Sequence, residues 1–184
     1  MAKAAREAMR QKVIGVLNKA RSMELHAIHQ YMNQHYNLDN LDYGELAAKM
    51  KLIAIDEMRH AEAFAERLKE IGGEPTTEPA AKTTKAQKVE AMYPFDSDLE
   101  DDTLYQYNQF LNTCRENGDS ISAKLFETII NEEQMHFNYF DNVNEHLKKL
   151  GSAYLARIAG TPAEVGAVNP GFVGAQGGEP GGVA

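Results

Sequence analysis

Cysteine occurs once in these 184 residues, at Cys114. One thiol builds neither a disulfide framework within the chain nor a four-thiolate metal centre, and it fits a reducing compartment. Long apolar runs are missing too: nothing approaches the roughly 20 residues of a membrane span, and mean hydropathy is −0.49. The N-terminal MAKAAREAMRQKVIGVLNKA carries basic residues without a continuous apolar core, so it does not read as a signal peptide. Positive charge is in deficit, with 19 basic against 27 acidic residues and a net charge of −8. That balance argues against a nucleic-acid or anionic-membrane partner and suits cations. What remains is a soluble, cytoplasmic chain, most economically one domain with a substantial core.

The pattern that is present is helical. Residues from about Ala4 to His35 keep Val13, Leu17, Ala20, Ala27 and Tyr31 in register, and NLDNLD at 37–42 reads as a turn. A second long helix runs from about Tyr43 to Ile71 and stops at Gly72–Gly73. The segment 74–88 has no usable apolar period. At full extension its fifteen residues reach about 50 Å, enough to carry the chain from one end of a bundle to the other. A third helix holds Glu100, Leu104, Tyr107, Leu111 and Cys114 in phase and ends near the ENGD turn at 116–119. A fourth carries Phe126 to Leu150 and ends at Gly151, and 154–159 gives a short fifth helix. The expected fold is all-α: a four-helix bundle with a long crossover between helices 2 and 3. Residues 1–160 would form the bundle and the short C-terminal helix. Residues 161–184 would be a Gly/Ala/Pro-rich tail without a packing face.

Two of the apolar stripes are interrupted. Glu57 and His60 fall in phase between Ile53 and Phe64, and Glu133 and His136 do the same between Ile129 and Phe140. A bare carboxylate in a core stripe is costly unless something pairs with it. A chain this rich in glutamate yields about one Glu-x-x-His match by chance, so position matters more than occurrence. Glu24 precedes Glu57 by 33 residues, and Glu100 precedes Glu133 by the same 33. The midpoints of both pairs fall at or beside the two turns. In an antiparallel hairpin, residues equidistant from the turn lie at one height. Each hairpin therefore sets a lone glutamate level with a Glu-x-x-His pair. Joined by the crossover, the hairpins bring four carboxylates and two imidazoles together mid-bundle. Four charges of −1 call for two divalent cations, and the donor set suits iron, manganese or zinc. A solvated helix face is the plainer reading for each pair. Ser97-Asp-Leu-Glu100 also fits a capping box that would occupy Glu100, with Pro94 marking a helix start nearby. Met58 lies about 100° round the helix from Glu57 and points away from this stripe, where packing is the ordinary role of methionine. His26, His29, His35 and His146 lack a partner at metal-ligand spacing and belong at the surface or an interface.

ELHAIHQYMNQHY, AIDEMRHAEAFAERL and NEEQMHFNYF together resemble the bacterioferritins, with similarity extending from Arg10 to Leu155. IDEMRHAE, with a methionine between the Glu and the His, is the most specific piece. The resemblance implies a ferritin-like bundle and a dinuclear ferroxidase centre of two iron ions per chain. Glu57 and Glu133 would bridge, Glu24 and Glu100 would be terminal carboxylates, and His60 and His136 would complete one iron each. Met58 would be an axial ligand of haem shared between two chains. The resemblance also implies oxidation of Fe(II) by dioxygen or peroxide and a mineral store inside a 24-chain shell built from dimers. A ferredoxin-type donor would supply electrons for release. Tyr31 would stand near the irons, and Asp56 would face the shell interior or remain a surface aspartate. The rival within this fold is a peroxide-reducing enzyme of the rubrerythrin type, which needs a cysteine-ligated iron domain that Cys114 alone cannot build. A haem-binding or structural bundle with solvated carboxylates is the rival outside it.

Overall fold

The computed structural model describes residues 2–164 and 171–175. Four long helices, α1 (Ala2–Asn40), α2 (Gly44–Glu70), α3 (Val89–Glu116) and α4 (Ser120–Leu150), pair as two hairpins, α1 with α2 and α3 with α4. Two short helices follow, α5 (Ser152–Ile158) and α6 (Gly171–Ala175). The four-helix bundle and the short fifth helix match the sequence expectation. Its boundaries moved in two places. Residues 37–40 continue α1, and the chain reverses only at Leu41–Tyr43, where Asp42 takes a positive φ of 65°. Helix α3 begins at Val89, so Pro94 lies inside it and Ser97–Glu100 is mid-helix. The capping-box reading of Glu100 therefore falls, because a box needs the free amides of a first turn.

The crossover is laced to α1 by a polar stripe at four-residue intervals. Asn18 Nδ2 donates to Glu74 O at 3.0 Å and its Oδ1 accepts from Thr76 N at 2.7 Å. Ser22 Oγ donates to Glu78 O, and Gln30 brackets Thr84 through both its amide atoms. From Asn18 to Gln30 the helix rises about 18 Å. The extended backbone thus finds α1 partners at Glu74, Thr76, Glu78, Ala80 and Thr84.

Helix α5 folds back onto the first turn. Gly160 N donates to Asp42 O at 2.8 Å, and Glu45 N donates to Thr161 Oγ1 at 2.9 Å. Thr161 O comes so close to Gly44 that a Cβ there would sit 1.9 Å from it. Glycine at 44 is a requirement of that approach.

Two apolar clusters fill the bundle. One holds Val13, Leu17, Phe64, Leu68, Tyr107, Phe126 and their neighbours. The other holds Tyr31, Leu38, Met50, Ile53, Met92, Tyr93 and Phe140. On each of the four long helices the buried residues between the two clusters are, Ala61 apart, polar, and that interval forms a buried layer.

The tail expectation fails for residues 171–175. Phe172 and Val173 are 4% and 3% exposed and pack against α2 and α4. The rest of 165–184 lies outside the described residues.

Candidate metal centre

The polar layer contains Glu24 from α1, Glu57 and His60 from α2, Glu100 from α3, and Glu133 and His136 from α4. All six are buried. Their donor atoms form two groups, Glu24–Glu57–His60–Glu133 and Glu57–Glu100–Glu133–His136, each with its atoms within 4.8 Å of one another. Glu57 and Glu133 belong to both groups. The structure thus assembles the six residues that spacing singled out, and it gives the two shared carboxylates the central place.

The histidines face inward through Nδ1. His60 Nδ1 lies 3.1 Å from Glu57 Oε2 and 3.0 Å from Glu133 Oε1, and His136 Nδ1 lies 3.2 Å from Glu133 Oε2 and 3.0 Å from Glu57 Oε1. Each imidazole therefore touches the carboxylate of its own helix and that of the opposite hairpin. Glu57 Oε1 and Glu133 Oε1 accept no hydrogen bond at all, a costly state for buried carboxylate oxygens.

Charge accumulates here. Burial pushes Glu24 and Glu100 well above the ordinary carboxylate range, and the charges of Glu133 and Glu57 push them further. Burial alone would raise Glu133, but the two imidazoles, His60 foremost, pull it below its usual value. Burial likewise disfavours charged His60 and His136, yet the surrounding carboxylates hold both well above the usual imidazole range. The site is short of positive charge and borrows protons to supply it. A pair of cations would satisfy the orphaned oxygens and displace those protons, so the residues fit two bound metal ions.

Hydrogen bonds outside the ligands fix their geometry. Tyr107 Oη donates to Glu24 Oε1, and Tyr31 Oη donates to Glu100 Oε1. Both phenols are buried and held well above the usual tyrosine range, so they remain donors. Glu132 Oε2 lies 2.9 Å from His60 Nε2 and completes that ring. Asp56 Oδ2 stands 3.6 Å from His136 Nε2, beyond hydrogen-bond range.

Sequence reading placed Tyr107 in the third apolar stripe without a role, and it passed over Glu132. Tyr107 was detectable in principle, because a tyrosine in an apolar stripe needs a buried acceptor for its hydroxyl, and Glu24 supplies one from α1. Glu132 neighbours Glu133 but points to the other hairpin, which no spacing on α4 reveals. Asp56 is not a surface aspartate: it is 2% exposed, 3.0 Å from Arg59 Nη1. His26 and His35 are likewise buried, the latter 2.8 Å from Ala47 O through Nδ1, whereas His29 and His146 are exposed. Cys114 is buried and its thiol is pushed up to about 12, chiefly by burial. Met58 is 53% exposed, turned away from the polar layer as its helical angle requires.

Fold and site together define a ferritin-like bundle with a dinuclear carboxylate–histidine centre. The ferritin-like domain family matches residues 14–150. The bacterioferritin of Desulfovibrio desulfuricans is 62% identical over 168 residues, covering 91% of this chain and 94% of the relative. Bacterioferritin BfrA of Mycobacterium tuberculosis is 32% identical over 151 residues, covering 82% and 95%. An X-ray structure of the Desulfovibrio protein, described with its diiron site in different catalytic states, aligns with a TM-score of 0.87 over 91% of this chain and 98% of that one. The Mycobacterium tuberculosis structure aligns with a TM-score of 0.76 at 32% identity, covering 80% and 93%. The chain belongs to the bacterioferritin family.

Proposed function

We propose that this chain is an iron-storage ferroxidase that oxidises Fe(II) at the six-residue centre and passes Fe(III) to a mineral. The observation that carries the reading is the pair of donor groups sharing Glu57 and Glu133. Iron is substrate here. Two Fe(II) ions give up one electron each, the number that converts dioxygen to hydrogen peroxide or peroxide to water. Glu57 and Glu133 would bridge the ions. Glu24 with His60 would hold one, and Glu100 with His136 the other. Tyr107 and Tyr31 keep the terminal carboxylates aimed inward, and Glu132 fixes the His60 ring so that Nδ1 faces the metal.

A single bundle has no room for a mineral, so storage needs a hollow assembly. A shell of 24 chains built from dimers, as the family resemblance implies, supplies one. Met58 supports a haem shared between two chains: its thioether is soft, exposed and turned away from the metal layer. When bound, haem supplies one-electron transfer for mineral reduction and iron release, with a ferredoxin-type donor beyond it. The net charge of −8 favours cation capture. No described helix is long and apolar enough to cross a membrane, and a cytoplasmic location fits the single buried thiol.

Aerobic titration of iron-stripped protein with Fe(II), followed by ferric absorbance, tests this reading. A fast phase saturating at two irons per chain and then slower continued uptake is expected. A fast phase with no further uptake would leave a di-iron enzyme without storage. No fast phase would remove the metal centre itself.

A further inference from the structure

The two metal positions are chemically similar, but their surroundings differ. Along the seam between α2 and α4, a cavity of about 320 Å³ opens beside His60 and Glu132, running on past Arg67 to Ile121. At the His136 end the same seam is covered by the C-terminal segment 171–173. Phe172 packs edge-on against His136 with ring centres 5.8 Å apart, and against Tyr139 at 5.2 Å. Lys49 Nζ lies over the outer side of the same ring, 5.6 Å from its centre. Val173 N donates to Asp56 Oδ2 at 2.9 Å. Gly171 takes a φ of +77°, and a Cβ there would lie 1.8 Å from Asp56 Oδ1 and 2.4 Å from Arg59 Nη1. Docking therefore demands glycine at 171 on grounds of both space and backbone conformation.

The Val173 amide also changes what Asp56 does. Glu132 is bonded to the outer nitrogen of His60, and Asp56 is placed to serve His136 in the same way. Instead, its Oδ2 is taken by Val173, and His136 Nε2 has no hydrogen-bond partner. The segment thus occupies the acceptor that His136 would otherwise use. Undocking would release Asp56 Oδ2 to accept a hydrogen bond from His136 Nε2, which offsets part of the lost Val173 bond.

Resting on the two-metal reading above, we infer that residues 171–173 are a built-in stopper over the His136 position. It makes the two sites kinetically unequal. The ion held by Glu24 and His60 exchanges through the open seam. The ion held by Glu100 and His136 leaves on that side only when Phe172 lifts. A bundle that must hand iron onward gains from this a fixed order of exit, with the His60 position emptying first.

Cobalt(II) is the probe, since it reports ligation by its visible absorbance without being oxidised by the centre. Full-length protein loaded with two Co(II) per chain is mixed with excess chelator. Two phases of equal amplitude are expected, and in His136→Ala the slow one should be absent. Phe172→Ala and Gly171→Ala lie outside the four long helices. Each should speed the slow phase roughly tenfold or more, given the apolar area the ring buries, and leave the fast phase unchanged. A single phase in the unaltered chain, or a slow phase that neither substitution moves, would overturn the inference while leaving the metal centre intact. Failure to bind two Co(II) per chain at all would instead bring down the two-metal reading, and this inference with it.

Discussion

Glu57 Oε1 lies 3.0 Å from His136 Nδ1 on the opposite hairpin, and no hydrogen bond joins them. Without metal the surrounding carboxylates keep a proton on that imidazole, and a cation facing both atoms would displace it. Glu133 and His60 repeat the relationship at the same 3.0 Å. If the shared carboxylates bridge, they are not equivalent to the terminal ones. Glu57→Ala and Glu133→Ala are expected to abolish both metal positions, whereas Glu24→Ala and Glu100→Ala should each spare one. Metal per chain, measured by equilibrium dialysis with Co(II), distinguishes these. Loss of a single metal in Glu57→Ala would contradict the bridging role.

Such a site is held against the interest of the metal-free fold. Glu24 is fully enclosed and faces the charges of Glu133 and Glu57. Its raised carboxyl must take up a proton on folding at neutral pH, a cost that a neutral group of the same shape avoids. Glu24→Gln keeps an acceptor for Tyr107 and removes the repulsion. Its metal-free Tm is expected to rise by several degrees, at about 2–4 °C per kcal/mol for a chain of this length. The further rise that Zn(II) gives the parent should shrink in the variant. A lower metal-free Tm would show that Glu24 contributes more to the fold than it costs.

Tyr107 supports that same carboxylate. Its hydroxyl donates to Glu24 Oε1 and also lies 3.3 Å from Ala20 O, inside a cage of Phe64, Phe110 and Phe126. Tyr107→Phe preserves the cage and removes only the donor. Metal affinity is expected to fall about 10–100-fold. Stability without metal should change by only about 1 kcal/mol. Co(II) titration and urea unfolding measure the two effects separately. An unchanged affinity would reduce Tyr107 to packing.

The apolar stripes, the two hairpins and the crossover were legible because each rests on local periodicity or on chain length. The six centre residues were legible for a related reason: a charge in a greasy stripe is a local anomaly, and equal spacing about two turns relates distant anomalies. Glu100 was ambiguous because a capping box and a ligand share one local pattern, and only the helix start at Val89 decides between them. The docking of Phe172 was illegible. It depends on five residues surrounded by glycine and proline, which show no period and find their partner, Asp56, 117 residues earlier in the chain.

Met58 carries the haem proposal by itself from this chain. Its side chain is exposed on α2 while Glu57 and His60 point inward, so the two functions are separable. Met58→Leu keeps size and apolarity and removes the sulfur. After reconstitution, haem per dimer should fall to near zero by Soret absorbance, and the fast ferroxidase phase should persist. Retention of a low-spin haem spectrum in this variant would exclude Met58 as the axial ligand.

The far end of the metal-bearing helices is closed by a charge pair whose pH response has a definite sign. Asp119 caps α4, accepting from Ser122 N at 2.9 Å and from Ser122 Oγ at 2.8 Å. Arg67 near the end of α2 donates to both of its oxygens, at 2.9 and 3.0 Å. Burial pushes the Asp119 carboxyl up, but the Ser122 donors and the Arg67 guanidinium prevail and hold it below the ordinary aspartate range. A folded-state value below the unfolded one stabilises the fold at pH above the unfolded value, near 3.9. That contribution is lost as pH falls through the lower folded value. Asp119→Ala should cost about 1–2 kcal/mol at neutral pH through the cap alone. Asp119→Asn keeps the cap geometry and removes the charge, which isolates the ionic part. Urea unfolding should show the parent more stable than Asp119→Asn at pH 6, with the difference shrinking as pH is lowered below about 3.9. A difference that stays constant over that range would assign the Asp119 contribution to hydrogen bonding and none of it to the Arg67 charge.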